Sequence, residues 1–85
     1  MGLLDGKVAI ITGAAHGQGA EEVGLFLEEG CRVIATDKDE SALRTRPESA
    51  ELQLMKHDIA SAADWKAVVA RAVALTGRVY ILVNN

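Results

Sequence analysis

Apolar and polar positions fall into blocks with two different periods along the chain. Lys7-Val8-Ala9-Ile10-Ile11-Thr12 is a run of β-branched and aliphatic residues with no polar alternation, the pattern of a parallel strand covered on both faces. From Gln18 to Glu29 the period becomes helical. Ala20, Val23, Phe26 and Leu27 form one stripe, Glu21, Glu22, Glu28 and Glu29 fill the other side, and Gly30 stands where a C′ glycine belongs. Cys31 to Thr36 reads as a second strand, and Ser41 to about Arg46 as a short helix that Pro47 forbids from continuing. Leu52 to Lys56 alternates, which predicts a strand near a sheet edge with one wetter face. Ser61 and Asp64 make an N-cap and a capping-box-like pair before a helix whose apolar face is Trp65, Val68, Val69, Ala72 and Val73, with Gly77 closing it. Tyr80 to Asn84 reads as a fourth strand.

Strands alternating with helices in this way predict an α/β, doubly wound parallel sheet of the Rossmann type, in one partial domain spanning 1–85. The dinucleotide-binding version of that fold has strand order 3-2-1-4-5-6, and the sequence supplies the first four, so the fold is expected to be incomplete after strand four. A chain of this length buries only about 60 to 65% of the surface its unfolded form exposes. Strand four would leave Ile81-Leu82-Val83 as an apolar edge, and monomer stability is expected to be poor.

Charge and composition narrow the partners. Nine basic and twelve acidic residues give a net charge of −3, with no basic stripe for a nucleic-acid backbone. The start, MGLLDGKVAIITG, has an acid and a base before its apolar run, and that run is far short of the roughly 18 apolar residues of a membrane span. Gly6 occupies the position that a myristoylation signal gives to Ser or Thr. The expected location is cytoplasmic, with no membrane partner. A lone Cys31 excludes an internal disulfide and a cysteine-rich zinc site, and reads as a small buried hydrophobe. The histidines and acids show no metal-ligand spacing.

Thr12-Gly13-Ala14-Ala15-His16-Gly17-Gln18-Gly19 lies between the first strand and the first helix, where phosphates would meet the helix N-terminal N–H groups and dipole. Glycine is needed there because a side chain would hold the backbone away from a pyrophosphate or clash in the turn. A G-x-G-x-x-G pattern counted from Gly17 would need glycine at Glu22, and a P-loop would need Lys and Ser or Thr where Ala20 and Glu21 stand. Neither pattern applies. Asp37, eighteen positions after Gly19 at the end of strand two, can accept hydrogen bonds from adenosine ribose hydroxyls and repel a 2′-phosphate. That favours NAD over NADP, although Lys38 and His16 lie close by as opposing positive groups. A solvated turn acid is the alternative for Asp37, and a solvated surface histidine the alternative for His16.

T-G-x-x-x-G-x-G resembles the cofactor loop of the short-chain dehydrogenase/reductase family, and the likeness runs the length of the chain. L-D-G-K-V-A-I-I-T-G-A-A resembles that family's first strand, Asp58-Ile59 its Asp-hydrophobic pair after strand three, and Leu82-Val83-Asn84-Asn85 its L-V-N-N-A-G motif up to the Ala-Gly. Gln18 departs from the family's usual Ile or Leu and adds an amide donor beside the phosphates. The resemblance implies that Asp58 bonds the adenine amino group, the Ile59 backbone bonds the ring, Asn85 lines the ribose and nicotinamide side, and Asn84 ties adjacent strands. The candidate cofactor-binding residues are therefore Gly13, Ala15, His16, Gly17, Gln18, Gly19, Asp37, Lys38, Asp58, Ile59 and Asn85.

The family oxidises alcohols or reduces carbonyls by hydride transfer, using a Tyr, a Lys four residues later and a Ser. A phenol of pKa about 10 needs a neighbouring positive charge to exchange protons near neutrality. The chain's one tyrosine, Tyr80, is followed four positions on by Asn84. Ser41, Ser49 and Ser61 occupy helix-start or loop positions, and His57 has no serine or cysteine partner at a justifying spacing. No catalytic residue is therefore assigned. Two readings follow: the NAD-binding part of an oxidoreductase acting on a small alcohol or ketone, whose full-length form is expected to be a homo-oligomer, or a catalytically silent nucleotide-binding or interaction module.

Overall fold

The computed structural model describes residues 5–76 and 81–85. Its elements are β1 (Val8–Ile11), α1 (Gly17–Glu28), β2 (Arg32–Asp37), α2 (Glu40–Leu43), β3 (Leu52–Lys56), α3 (Ala62–Thr76) and β4 (Ile81–Val83). The strands form one parallel sheet in the order β3-β2-β1-β4. β3 lies at an edge and alternates between buried and half-buried residues, as its sequence pattern predicts.

Every residue of β1 is buried, which is why its apolar run is unbroken. Its side chains feed two cores, one on each face of the sheet. Ala9 and Ile11 join Val33, Ala35, Leu52, Leu54, Val23 of α1 and Leu43 of α2, while Val8 and Ile10 join Ile34 and Val68 and Ala72 of α3. Each fully buried valine or isoleucine in these layers contributes about 1.5–3 kcal/mol. Cys31 is fully buried, its Sγ–H faces the Lys7 carbonyl at 3.2 Å, and burial pushes its thiol pKa up.

Helix ends follow local chemistry. At the end of α1, Gly30 takes φ 85°, its N–H donates to the Leu27 carbonyl and the Cys31 N–H to the Phe26 carbonyl, a complete Schellman closure. α2 is shorter than the expected Ser41–Arg46. It starts on Asp39, whose Oδ1 accepts from the Ala42 N–H. It gives way to tighter turns because the Thr45 and Arg46 N–H groups reach only three residues back and the Thr45 hydroxyl takes the Ala42 carbonyl.

On α3 the expected five-residue apolar face divides. Val68 and Ala72 are buried, whereas Val69 and Val73 are 43% and 44% exposed, because the sheet face built from Val8, Ile10 and Ile34 contacts only the first pair. Among the described residues β4 pairs with β1 alone, with Ile81 and Val83 against the α1-side core and Leu82 exposed. Gly77 and Tyr80, expected to end α3 and begin β4, lie outside the described residues.

Candidate functional site

Parallel register brings the carboxyl ends of the four strands to one side of the sheet, and the turns that follow them meet there. After β1, Gly13 and Gly17 adopt φ of 60° and 53°, in the left-handed region that disfavours side chains. Gly19 is required for a different reason. A Cβ there would collide with the Gly13 carbonyl oxygen and press on the Ala14 backbone. The Ala14 N–H donates to the Thr36 carbonyl at 2.9 Å, pinning this loop to β2. α1 then opens behind His16 with no side-chain cap and no acidic residue in its first turn, leaving its leading N–H groups and dipole available to an anion.

The tip of β2 carries Asp37, and both of its carboxylate oxygens are engaged. Oδ2 accepts from the Ala15 N–H at 3.0 Å and Oδ1 from the Asp39 N–H at 2.9 Å. Asp37 therefore touches the glycine loop directly. His16, largely exposed, pairs with Asp39 at 3.1 Å, so loop and β2 tip are bridged a second time. The Ala42 N–H, then His16 and Ser41, hold the Asp39 carboxyl below its ordinary pKa.

Beyond β4, Asn84 Oδ1 accepts from the Thr12 hydroxyl at 2.9 Å, tying adjacent strand ends. Asn85 folds back over β1: its N–H donates to Thr12 Oγ1, and its side-chain amide to the Thr12 carbonyl and to Glu22 Oε1.

Gly13, Asp37, Lys38, Asp58, Ile59 and Asn85 border one cleft of about 270 Å³. Six of the eleven candidate residues are thus brought together. Ala15 faces a smaller hollow of about 100 Å³ between α1 and α2. Gly17 and Gln18 lie exposed at the start of α1, where Gln18 Nε2 reaches Glu22 at 3.5 Å, and Gly19 is buried beneath them. A hollow of about 520 Å³ along Glu21, Gly24, Leu25 and Glu28 of α1 shares no residue with the cleft.

One bordering residue is not among the sequence candidates. His57 also borders the cleft, yet is 1% exposed. Its Nδ1 lies 2.9 Å from Thr36 Oγ1, and its Nε2 is buried without a hydrogen-bond partner among the described residues. Its position immediately before the Asp58-Ile59 pair is the only sign of it in the sequence.

A glycine turn opening onto an uncapped helix, a carboxylate at the tip of the second strand and a cleft over the switch point between β1 and β4 together define a dinucleotide-binding fold. Comparison with known proteins carries this to a family: the model of the short chain dehydrogenase family matches residues 7–85, and the chain belongs to that family. It is 42% identical to a 3-beta-hydroxysteroid dehydrogenase of Comamonas testosteroni, over 96% of this chain and 33% of that protein. Among solved structures, it is similar to a 3-ketoacyl-(acyl-carrier-protein) reductase from Brucella melitensis complexed with NADH. The TM-score is 0.83 and the identity 36%, covering 93% of this chain and 34% of that one. It is also similar to a short chain dehydrogenase/reductase from Burkholderia phymatum in complex with NAD. There the TM-score is 0.84 and the identity 32%, covering 96% of this chain and 31% of that one. The chain spans about a third of the length of the relatives it matches. Among the described residues, no helix is long and apolar enough to cross a membrane.

Proposed function

We propose that this chain binds NAD and forms the cofactor-binding part of a cytoplasmic oxidoreductase that moves hydride between an alcohol or carbonyl carbon and the nicotinamide. The carrying observation is Asp37: its carboxylate is held by two backbone N–H groups at the β2 tip, against the glycine loop and on the border of the cleft. The residues fit the group. The loop is packed so closely that Gly19 has no room for a Cβ, which keeps the main chain low enough for a pyrophosphate to approach. Asp37 would take the ribose hydroxyls, Asp58 and the Ile59 backbone the adenine, and Asn85 the nicotinamide-side ribose, with His16 and Gln18 beside the phosphates. When bound, the nicotinamide supplies the hydride acceptor or donor.

NAD is preferred to NADP because a 2′-phosphate at Asp37 would meet that carboxylate and, close behind it, Asp39, with Lys38 and His16 offsetting part of the repulsion. The hydroxysteroid and ketoacyl relatives support a secondary alcohol or ketone as substrate of the whole protein, and a homo-oligomeric assembly is proposed for it. The chain itself holds no Tyr-x-x-x-Lys pair, which favours a second reading in which these residues bind nucleotide without turning over substrate.

Isothermal titration of the folded chain tests both readings. NAD should bind more tightly than NADP. Absence of NAD binding to a folded sample would remove the proposal, and alcohol-dependent NADH formation by these 85 residues would exclude the silent reading.

A further inference from the structure

The Asp58-Ile59 turn after β3 is held by groups that do not belong to it. Ser61 caps α3, its Oγ accepting from the Asp64 N–H at 3.1 Å, but Asp64 does not complete the box by returning to the Ser61 N–H. Its Oδ2 accepts instead from the Asp58 N–H at 2.9 Å. One residue on, Trp65 Nε1–H donates to the Ile59 carbonyl at 2.7 Å. The Trp65 ring meets the His57 imidazole edge to face, centroids 4.3 Å apart at 86°. His57 completes the chain of contacts. Its N–H donates to the Asp37 carbonyl at 3.0 Å and its ring engages Thr36, so the turn is fastened to the strand end that carries Asp37.

These contacts use up the Asp58 N–H and the Ile59 carbonyl. Asp58 Oδ1 accepts from the Ala60 N–H. The second Asp58 carboxylate oxygen and the Ile59 N–H have no protein partner among the described residues, an acceptor and a donor in the arrangement that an adenine amino group and ring nitrogen would match. We propose that His57 and Trp65 are positioning residues, which hold the Asp58-Ile59 turn in its adenine-accepting shape and fix its offset from Asp37. This deepens the NAD-binding reading and rests on it.

The support works only with a neutral imidazole. A protonated ring carries N–H on both nitrogens, and Nε2 has no acceptor among the described residues. Asp37 and Lys38 from the β2 tip, Asp58 from its own turn and Asp64 from α3 are the charged groups around it. Burial lowers its pKa more than the Asp64 and Asp58 charges raise it. Adenine affinity should therefore fall on acidification.

ADP-ribose, which carries the adenine and both phosphates without nicotinamide, is the probe, titrated calorimetrically into the full chain. Trp65→Phe keeps an aromatic side chain and removes the Nε1–H, and should weaken ADP-ribose by about fivefold. Wild-type affinity should hold above pH 6.5 and fall as the pH drops through the lowered His57 pKa, while His57→Gln, which retains a hydrogen-bonding partner for Thr36 without titrating, should flatten that dependence. Should Trp65→Phe fail to fold, the His57→Gln profile decides alone. Unchanged affinity in folded Trp65→Phe, or a wild-type pH dependence in His57→Gln, overturns the inference. If wild type binds no ADP-ribose at all, it is the NAD-binding reading that has failed, and the inference goes with it.

Discussion

The two turns that frame the cleft are built by opposite means. The turn after β1 is shaped by main chain: Gly13 and Gly17 occupy left-handed backbone, and Gly19 lets two stretches of backbone touch. The turn after β3 is shaped by side chains arriving from α3 and β2, through Asp64, Trp65 and the His57–Thr36 contact. A site defined by where a Cβ cannot go tolerates no side chain at that point. One defined by hydrogen bonds can be weakened by degrees and responds to protonation.

The largest effect should come from Gly19→Ala, which drives a methyl group into the Gly13 carbonyl. It should lower stability by about 1–3 kcal/mol in urea titration and weaken NAD at least about tenfold. A variant that melts and binds like wild type would show that the first turn is not closely packed. Next, Asp37→Ala removes a charged acceptor and the ties to Ala15 and Asp39. NAD affinity should fall by about tenfold and NADP affinity by less, and an unchanged ratio in calorimetry would sink the ribose assignment.

Acid should distinguish the two turns more gently. His57 has its pKa lowered from 6.5 in the folded chain, chiefly by burial, so the unfolded chain binds the proton more readily. Its contribution to stability is present above pH 6.5 and is lost as pH falls through the lower folded value. Urea midpoints should decline over that window in wild type, and a decline equal in His57→Gln would assign it elsewhere. The smallest effect is expected for Gln18→Ile, at an exposed position that shapes no backbone. NAD affinity should fall by no more than about twofold, and a larger loss would mean the Gln18 amide is a principal phosphate donor and not a single exposed hydrogen bond beside the helix N–H groups.

The same contrast explains what the sequence made legible. The buried β1 run and the glycine loop could be read because backbone requirements restrict residue type: glycine at positive φ, β-branched residues on a twice-covered strand; the strand order came with the fold class that the strand–helix alternation indicates. Asp37 was legible as an acid at a strand end, and the Asp58-Ile59 pair through its likeness to the family motif that follows strand three. His57 was not, because a histidine's role depends on what surrounds its ring, and Thr36 and Trp65 come from other elements. Asp64 was half legible: Ser61 caps it as expected, but the reverse hydrogen bond goes to Asp58, a choice set by how α3 sits beside the turn. The expected breadth of the α3 apolar face overran what one sheet face covers, since periodicity gives the stripe and not the width of its partner.

The double tether on Asp37 has a consequence for entropy. With one internal N–H on each oxygen, the carboxylate is already confined to one rotamer before any ligand arrives. Freezing a free side chain on binding costs about 0.5–1.5 kcal/mol, and here that ordering is completed during folding. On the proposed ribose assignment, the remaining lone pair on each oxygen would meet a vicinal diol as a rigid pair of acceptors of fixed spacing.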